Sequence, residues 1–209
     1  MSVVIVDYGA GNLRSVARAV AKVGWQPLVT AHAHDVAAAD ALILPGVGAA
    51  ADTMRNLNAC ALVEPVREYI AAGRPFLGVC MGLQALMTVS EEGGEHACMD
   101  VIPGRVRRFE PTPGLKIPHM GWNTVRQLRP HPIFRGIPDE AHFYFVHSYY
   151  VEPEDSDVTI GQTEYAVPFT AVVARDNLVA TQFHPEKSGE HGLLIYANFL
   201  RNALGGGAK

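Results

Sequence analysis

Long apolar runs are missing from this chain. No stretch approaches the ~20 residues that a membrane-spanning helix requires, which excludes a helical span. Polybasic runs are missing too. The formal net charge is −4 and the sequence pI about 6.1, so neither a nucleic-acid nor a membrane-surface role has electrostatic support. Cysteine is scarce: Cys60, Cys80 and Cys98 are odd in number and lack the spacing of a zinc site. That argues against a disulfide framework and for a reducing compartment. No basic segment precedes the apolar start, which Asp7 interrupts, so a signal peptide is not expected. Internal repeats, linkers and low-complexity blocks are absent as well. The expectation is a cytoplasmic chain with no cofactor.

What is present suits a single α/β domain over residues 1–204, with 205–209 as a flexible tail. The 209 residues (22.6 kDa) are 48% hydrophobic and 18% charged, enough to bury a core without a metal or disulfide staple. In the first half, strand-like and helix-like stretches alternate. Val3 to Val6, Pro27 to Thr30, Ala41 to Leu44 and Phe76 to Val79 read as strands, the third stopped by Pro45-Gly46. Leu13, Val16, Ala17, Val20 and Val23 recur at helical spacing behind a capping Asn12, and Leu62, Val66 and Ile70 mark a second helical face. Met81 to Val89 reads as a third helix. Strands separated by helices imply βαβ units and an open, mostly parallel sheet covered on both faces.

The second half changes character. Short strands are expected at Val125 to Leu128, Ala141 to Val146, Val158 to Gly161, Thr170 to Ala174 and Leu178 to Gln182, adding antiparallel strands to the sheet. Leu193, Tyr196, Ala197, Leu200 and Leu204 then form a closing amphipathic helix.

The sharpest chemical signal is Gly78-Val79-Cys80-Met81-Gly82 between a buried strand and a helix. It copies the G-x-S-x-G nucleophile elbow with sulfur in place of oxygen. Glycines on both sides relieve the crowding of a sharp turn, and a helix amino terminus favours thiolate over thiol. A buried, inert cysteine is the competing reading. A cysteine nucleophile needs a base and a group to orient it. Gln182-Phe183-His184-Pro185-Glu186 offers both, since an extended segment projects His184 and Glu186 to one side. The Pro45-Gly46-Val47-Gly48 loop and Gly9-Ala10-Gly11 are incomplete dinucleotide fingerprints without the acidic partner. Their glycines alternatively leave backbone N–H groups free for an oxyanion. His32 and His34 form an H-x-H pair with no evident third ligand, so no metal is expected. Arg105, Arg107 and Arg108 form either an anion site or a solvated strand face. Trp122 is either an interface anchor or core.

The elbow with Leu83-Gln84, the His184-Pro185-Glu186 segment and the Pro45 to Gly48 loop together resemble the class I (triad) glutamine amidotransferases. Asp7 to Leu13, Pro118 to Asn123 and Phe145 to Tyr150 narrow the likeness to the glutaminase subunits of imidazole glycerol phosphate synthases. The resemblance implies glutamine hydrolysis by Cys80, His184 and Glu186, with Met81, Val47 and Gly48 at the oxyanion. It implies Gly46, Gln84, Glu92, Ser148 and Tyr149 at the substrate. It also implies a heterodimer with a β/α-barrel cyclase subunit, for which Asn12, Trp122 and Lys187 are the interface candidates. The ammonia released would feed the cyclase, which makes imidazole glycerol phosphate and an aminoimidazole carboxamide ribotide in histidine biosynthesis.

Overall fold

A computed structural model describes residues 1–9 and 11–205. Ala10 of the first glycine loop, and 206–209 of the expected tail, lie outside the described residues. The first half runs β1 (Val3–Val6), α1 (Leu13–Lys22), β2 (Pro27–Thr30), α2 (Ala33–Ala38), β3 (Ala41–Gly46), α3 (Ala50–Ala59), α4 (Val63–Ala71), β4 (Phe76–Cys80) and α5 (Met81–Gln84). Then come β5 (Val89–Ser90), β6 (His96–Ala97), β7 (Gly104–Arg108), β8 (His119–Gln127), β9 (Ala141–His147), β10 (Tyr149–Pro153), β11 (Thr159–Tyr165), β12 (Val167–Arg175) and β13 (Leu178–Thr181). The long α6 (Gly189–Leu204) closes the described chain.

The strands follow the order β2-β1-β3-β4-β13-β12-β10-β7-β5-β6, and the first five are parallel. Every residue of β1, β3, β4 and β13 is buried, as a sheet covered on both faces requires. Successive side chains part to opposite sides. Val3, Ile5, Ile43, Leu77 and Val79 meet α1 and α6 through Val16, Val20, Ile195 and Leu200. Val4, Val6, Leu42, Leu44 and Phe76 meet α3 and α4 through Leu57, Val66 and Ile70. Each such fully buried aliphatic chain contributes about 1.5–3 kcal/mol, which makes these two layers the main adhesive of the parallel half.

Three local expectations are corrected. The third strand does not stop at Leu44: Pro45 and Gly46 stay extended and pair in register with Val79 and Cys80. The helix after the elbow is four residues long rather than nine. Its continuation is diverted because the Ala85 carbonyl accepts from the Met99 N–H, and the Leu86 carbonyl from Val101 and Ile102. Asn12 stands at the head of α1, but its side chain makes no capping hydrogen bond. His32 stands at the head of α2 and His34 lies in its first turn.

Of the strands expected in the second half, β8, β9, β11 and β12 pair antiparallel, several of them longer than their apolar cores, whereas β13 runs antiparallel to β12 but parallel to β4. β7 was anticipated only as a solvated strand face for its three arginines, and β10, of which only Val151 is buried, lies outside the expected strands. They pair with each other all the same, Val106 opposite Val151. A hairpin of β8 and β9 stands beside the parallel half, linked to the sheet through β11.

Candidate active site

Cys80 ends β4 with φ +54 and is buried. A non-glycine residue in the left-handed region stores strain that the surrounding structure must hold in place. Here the restraint is steric. A Cβ on Gly78 would stand 2.8 Å from the Gly82 carbonyl oxygen and 2.9 Å from the Ala180 Cβ, and one on Gly82 would overlap the Leu44 carbonyl oxygen. Since α5 spans a single turn, the macrodipole expected at Cys80 is small, and what the turn offers is its individual N–H groups.

His184 follows β13, whose Thr181 pairs in parallel with Val79 of β4. The residues just beyond the carboxyl ends of these two neighbours are therefore adjacent, although a hundred positions separate them in sequence. The His184 Nδ1 lies 2.9 Å from the Glu186 Oε1, and both side chains are buried. They meet through a 3-10 turn over Pro185–Lys187, not the extended segment expected, because Pro185 starts the turn. The Glu186 Oε2 accepts from the Tyr196 hydroxyl of α6 at 3.4 Å. Burial and the Glu186 charge hold the Tyr196 phenol well above its usual range.

The His184 Nε2 is buried without a hydrogen-bond partner among the described residues. Burial by itself lowers the His184 pKa, but the charge and proximity of Cys80, followed by Glu186, outweigh it and raise the ring to about 10. Sulfur also receives the Gln182 Nε2–H at 3.6 Å. The His184 backbone is clamped on both sides: its N–H donates to the Tyr144 carbonyl at 2.9 Å, and its carbonyl accepts from the Ser188 hydroxyl at 2.7 Å.

Cys80 and His184 open into a cavity of about 140 Å³ lined by Val47, Gly48, Met81, Gln84, Glu92, Val146, His147, Ser148 and Tyr149. Larger clefts exist. One of about 650 Å³ lies between Glu64, Arg67 and Asn177 at the amino-terminal edge of β4, away from the thiol. Gln84 is fixed by two bonds from its Nε2, to the Tyr149 carbonyl at 3.0 Å and to the Gln182 Oε1 at 3.1 Å, leaving its own Oε1 buried and unpartnered among the described residues. The Glu92 carboxylate accepts the Ala50 N–H at 2.7 Å and thereby ties the cavity wall to the head of α3.

Not every expected site residue reaches the cavity. Gly46 does not line it: the residue is the crowded end of β3, where a Cβ would strike the Tyr8 hydroxyl and Met81. It therefore has no room to swivel, whereas a Cβ on Gly48 (φ +100) would meet nothing within 4 Å. Trp122 is 56% exposed, which removes the core reading. It packs edge-on against Tyr144, and the Lys187 ammonium lies 5.8 Å from the same ring. Asn12 is half-buried at the head of α1. Arg105 and Arg107 pair with Glu91, Glu95 and Glu152 on the solvated strand face, so they hold carboxylates rather than an open anion site.

The sequence reading missed Gln182, Ser188, Tyr196 and His147. Gln182, Ser188 and His147 sat in or beside segments singled out for other residues and were given no role; the signal of Gln182 is a glutamine where a buried strand would otherwise stay apolar. His147 is buried and directs its Nδ1 to the Tyr149 carbonyl at 2.8 Å. Burial, first of all, pushes its pKa down to about 3 and that of His119 to about 4, so both rings are neutral at pH 7.

The family model of class-I glutamine amidotransferases matches residues 4–203. Subunit HisH of imidazole glycerol phosphate synthase from Syntrophotalea carbinolica is 52% identical over 202 residues, covering 94% of this chain and 98% of that one. The HisH subunit from Dehalococcoides mccartyi is 47% identical, with 97% and 98% covered. Among solved structures, a glutamine amidotransferase and PurLQS from Thermotoga maritima each superpose with a TM-score of 0.74 at 18% identity, covering 96% of this chain and 98% of theirs. At that identity the two structures speak for the fold alone.

Proposed function

Because this chain belongs to the class-I glutamine amidotransferases, among the HisH subunits of imidazole glycerol phosphate synthase, we propose that Cys80, His184 and Glu186 perform its glutamine hydrolysis. The activity is that of a glutaminase subunit in histidine biosynthesis. The observation that carries the residue assignment is the buried row of thiol, imidazole and carboxylate at the carboxyl ends of β4 and β13. Cys80 attacks the side-chain amide carbon, and a tetrahedral intermediate forms. His184 takes the thiol proton and delivers it to the departing nitrogen as ammonia leaves. Water, deprotonated by the same ring, then hydrolyses the thioester to glutamate. Glu186 holds the His184 Nδ1–H and so keeps Nε2 aimed at the chemistry.

The oxyanion would be met by the Met81 N–H and by a donor from the Val47–Gly48 peptide, each such donor contributing about 3–4 kcal/mol to the transition state. Gln84, Glu92, Ser148 and Tyr149 surround the space left for the rest of the substrate, with the Glu92 carboxylate suited to an α-ammonium and the Ser148–Tyr149 peptide to an α-carboxylate. The ammonia would pass to a cyclase subunit in a cytoplasmic heterodimer. Trp122 and Lys187 beside Tyr144, with Asn12, mark the surface for it, since a large aromatic at 56% exposure next to the site suits a docking face. Gly48 has the open space that a partner-driven rotation of its peptide requires. We read residues 1–204 as one domain. No described helix is long and apolar enough to cross a membrane.

The decisive experiment is Cys80→Ala with the cyclase present. It is expected to abolish glutamine hydrolysis while leaving the thermal melt and the complex intact, and glutaminase activity retained in that variant would refute the assignment.

A further inference from the structure

Behind the pocket wall, four side-chain and backbone groups form a hydrogen-bonded row that the reaction does not use directly. The Asn123 Nδ2 donates to the Glu164 carbonyl at 3.0 Å, and its Oδ1 accepts the Thr124 N–H at 2.8 Å, so the orientation of this amide is settled by backbone groups of opposite kind. The same Nδ2 lies 3.2 Å from the His119 Nε2, which must then be an acceptor. At the other end, the Tyr149 carbonyl can only accept, so the His147 Nδ1, 2.8 Å away, carries a proton. Between the rings, the His119 Nδ1 and His147 Nε2 are 3.0 Å apart. Two neutral rings satisfy both ends in one way: each is protonated on Nδ1, and every donor points from β8 toward Tyr149.

The rings are held by the sheet register and by aromatic packing. His119 and His147 are directly opposed across β8 and β9, and His119 is stacked between Tyr165 and Phe145 at 4.0 and 4.9 Å. The Tyr149 carbonyl that ends the row also receives the Gln84 amide. On the opposite side of the same β8 strand, Met120 and Trp122 are 62% and 56% exposed.

We propose that His119 and His147 are positioning residues for the glutamine pocket. Their one-way donor chain pins the Tyr149 carbonyl, and with it the Ser148–Tyr149 peptide and the Gln84 amide, to the strand whose outer side carries Met120 and Trp122. This rests on the glutaminase reading and adds to it. A partner seated on Met120 and Trp122 adjusts the substrate wall through two rings, without touching the substrate. Neither ring transfers a proton in the reaction.

Two measurements test it. Long-range nitrogen-15 spectra of the wild-type chain at pH 7 should show both rings as Nδ1–H tautomers; an Nε2–H tautomer or an imidazolium at either position overturns the inference. In a Cys80→Ala background, His119→Phe keeps the stacking and removes the donor to His147. Its glutamine Kd should rise about tenfold, while His119→Asn, which retains an N–H where Nδ1 stood, should stay within about threefold of the parent. Equal Kd values for the Phe and Asn variants overturn it as well. If the Cys80→Ala parent binds no glutamine, the glutaminase reading fails by itself, and the tautomer spectra still decide this inference.

Discussion

The two walls of the candidate pocket around Cys80 are built on different physics. The elbow wall, made by β3, β4 and Met81, is placed mainly by contact: glycines at 78 and 82 bring three backbones within van der Waals distance. The facing wall, from His147 to Tyr149 with Gln84, Gln182 and His184, is placed by hydrogen bonds between buried polar groups. A contact wall has no slack for an added atom, because the interior is already close-packed. A hydrogen-bonded wall accepts changes of shape more readily than the loss of one donor, since an unpaired buried group carries the full cost of its desolvation. The proposed nucleophile, whose direction of attack must be fixed, stands on the first kind. The proposed substrate contacts stand on the second.

The largest effect should fall on the contact wall. Gly82→Ala forces a methyl onto the Leu44 carbonyl oxygen and is expected to lower stability by about 3 kcal/mol in urea unfolding, with glutaminase lost. A Gly82→Ala chain as stable as the parent would erase the distinction between the walls. The hydrogen-bonded wall should instead answer to pH. His119 and His147 stay neutral in the fold to about pH 4 and 3, but take protons near their ordinary value of 6.5 once unfolded. Between about pH 6.5 and 4 the unfolded state binds more protons, so stability falls as pH falls, by about 1.4 kcal/mol per histidine per pH unit. Urea midpoints followed from pH 7 to 4.5 should therefore drop less steeply in His119→Phe than in the parent, and parallel curves would remove the neutral pair from the argument. The smallest effect concerns Tyr196, whose hydroxyl reaches Glu186 over a long 3.4 Å. Tyr196→Phe should reduce kcat about two- to fivefold at unchanged KM. A loss beyond a hundredfold would make that hydroxyl a principal support of the triad rather than a minor one.

The order of legibility follows the same division. Cys80 was readable because its glycines occupy fixed sequence offsets, and the sterics that demand them act over five consecutive residues. His184 and Glu186 were readable because two positions link them, although the 3-10 turn that joins them was not. Tyr196 looked like one more apolar position on a helix face, and His147 like one of nine histidines, since nothing local distinguishes a ring that will be dried out by Phe109, Phe145 and Phe169. The four-residue α5 was overextended because the carbonyls that end it are claimed by a loop ten or more residues later.

The sequence by itself determined the parallel half, its two apolar layers and the chemistry of the elbow. Each of these depends on spacings of two, four or seven residues that short-range sterics and burial enforce. The tertiary structure alone decided that a strand from near the end of the chain would slot beside β4, setting imidazole next to thiol, and that a histidine from each strand of a hairpin would join head to tail behind the pocket. Such pairings arise from sheet register across long loops, and no local rule encodes which distant donor will meet which buried acceptor.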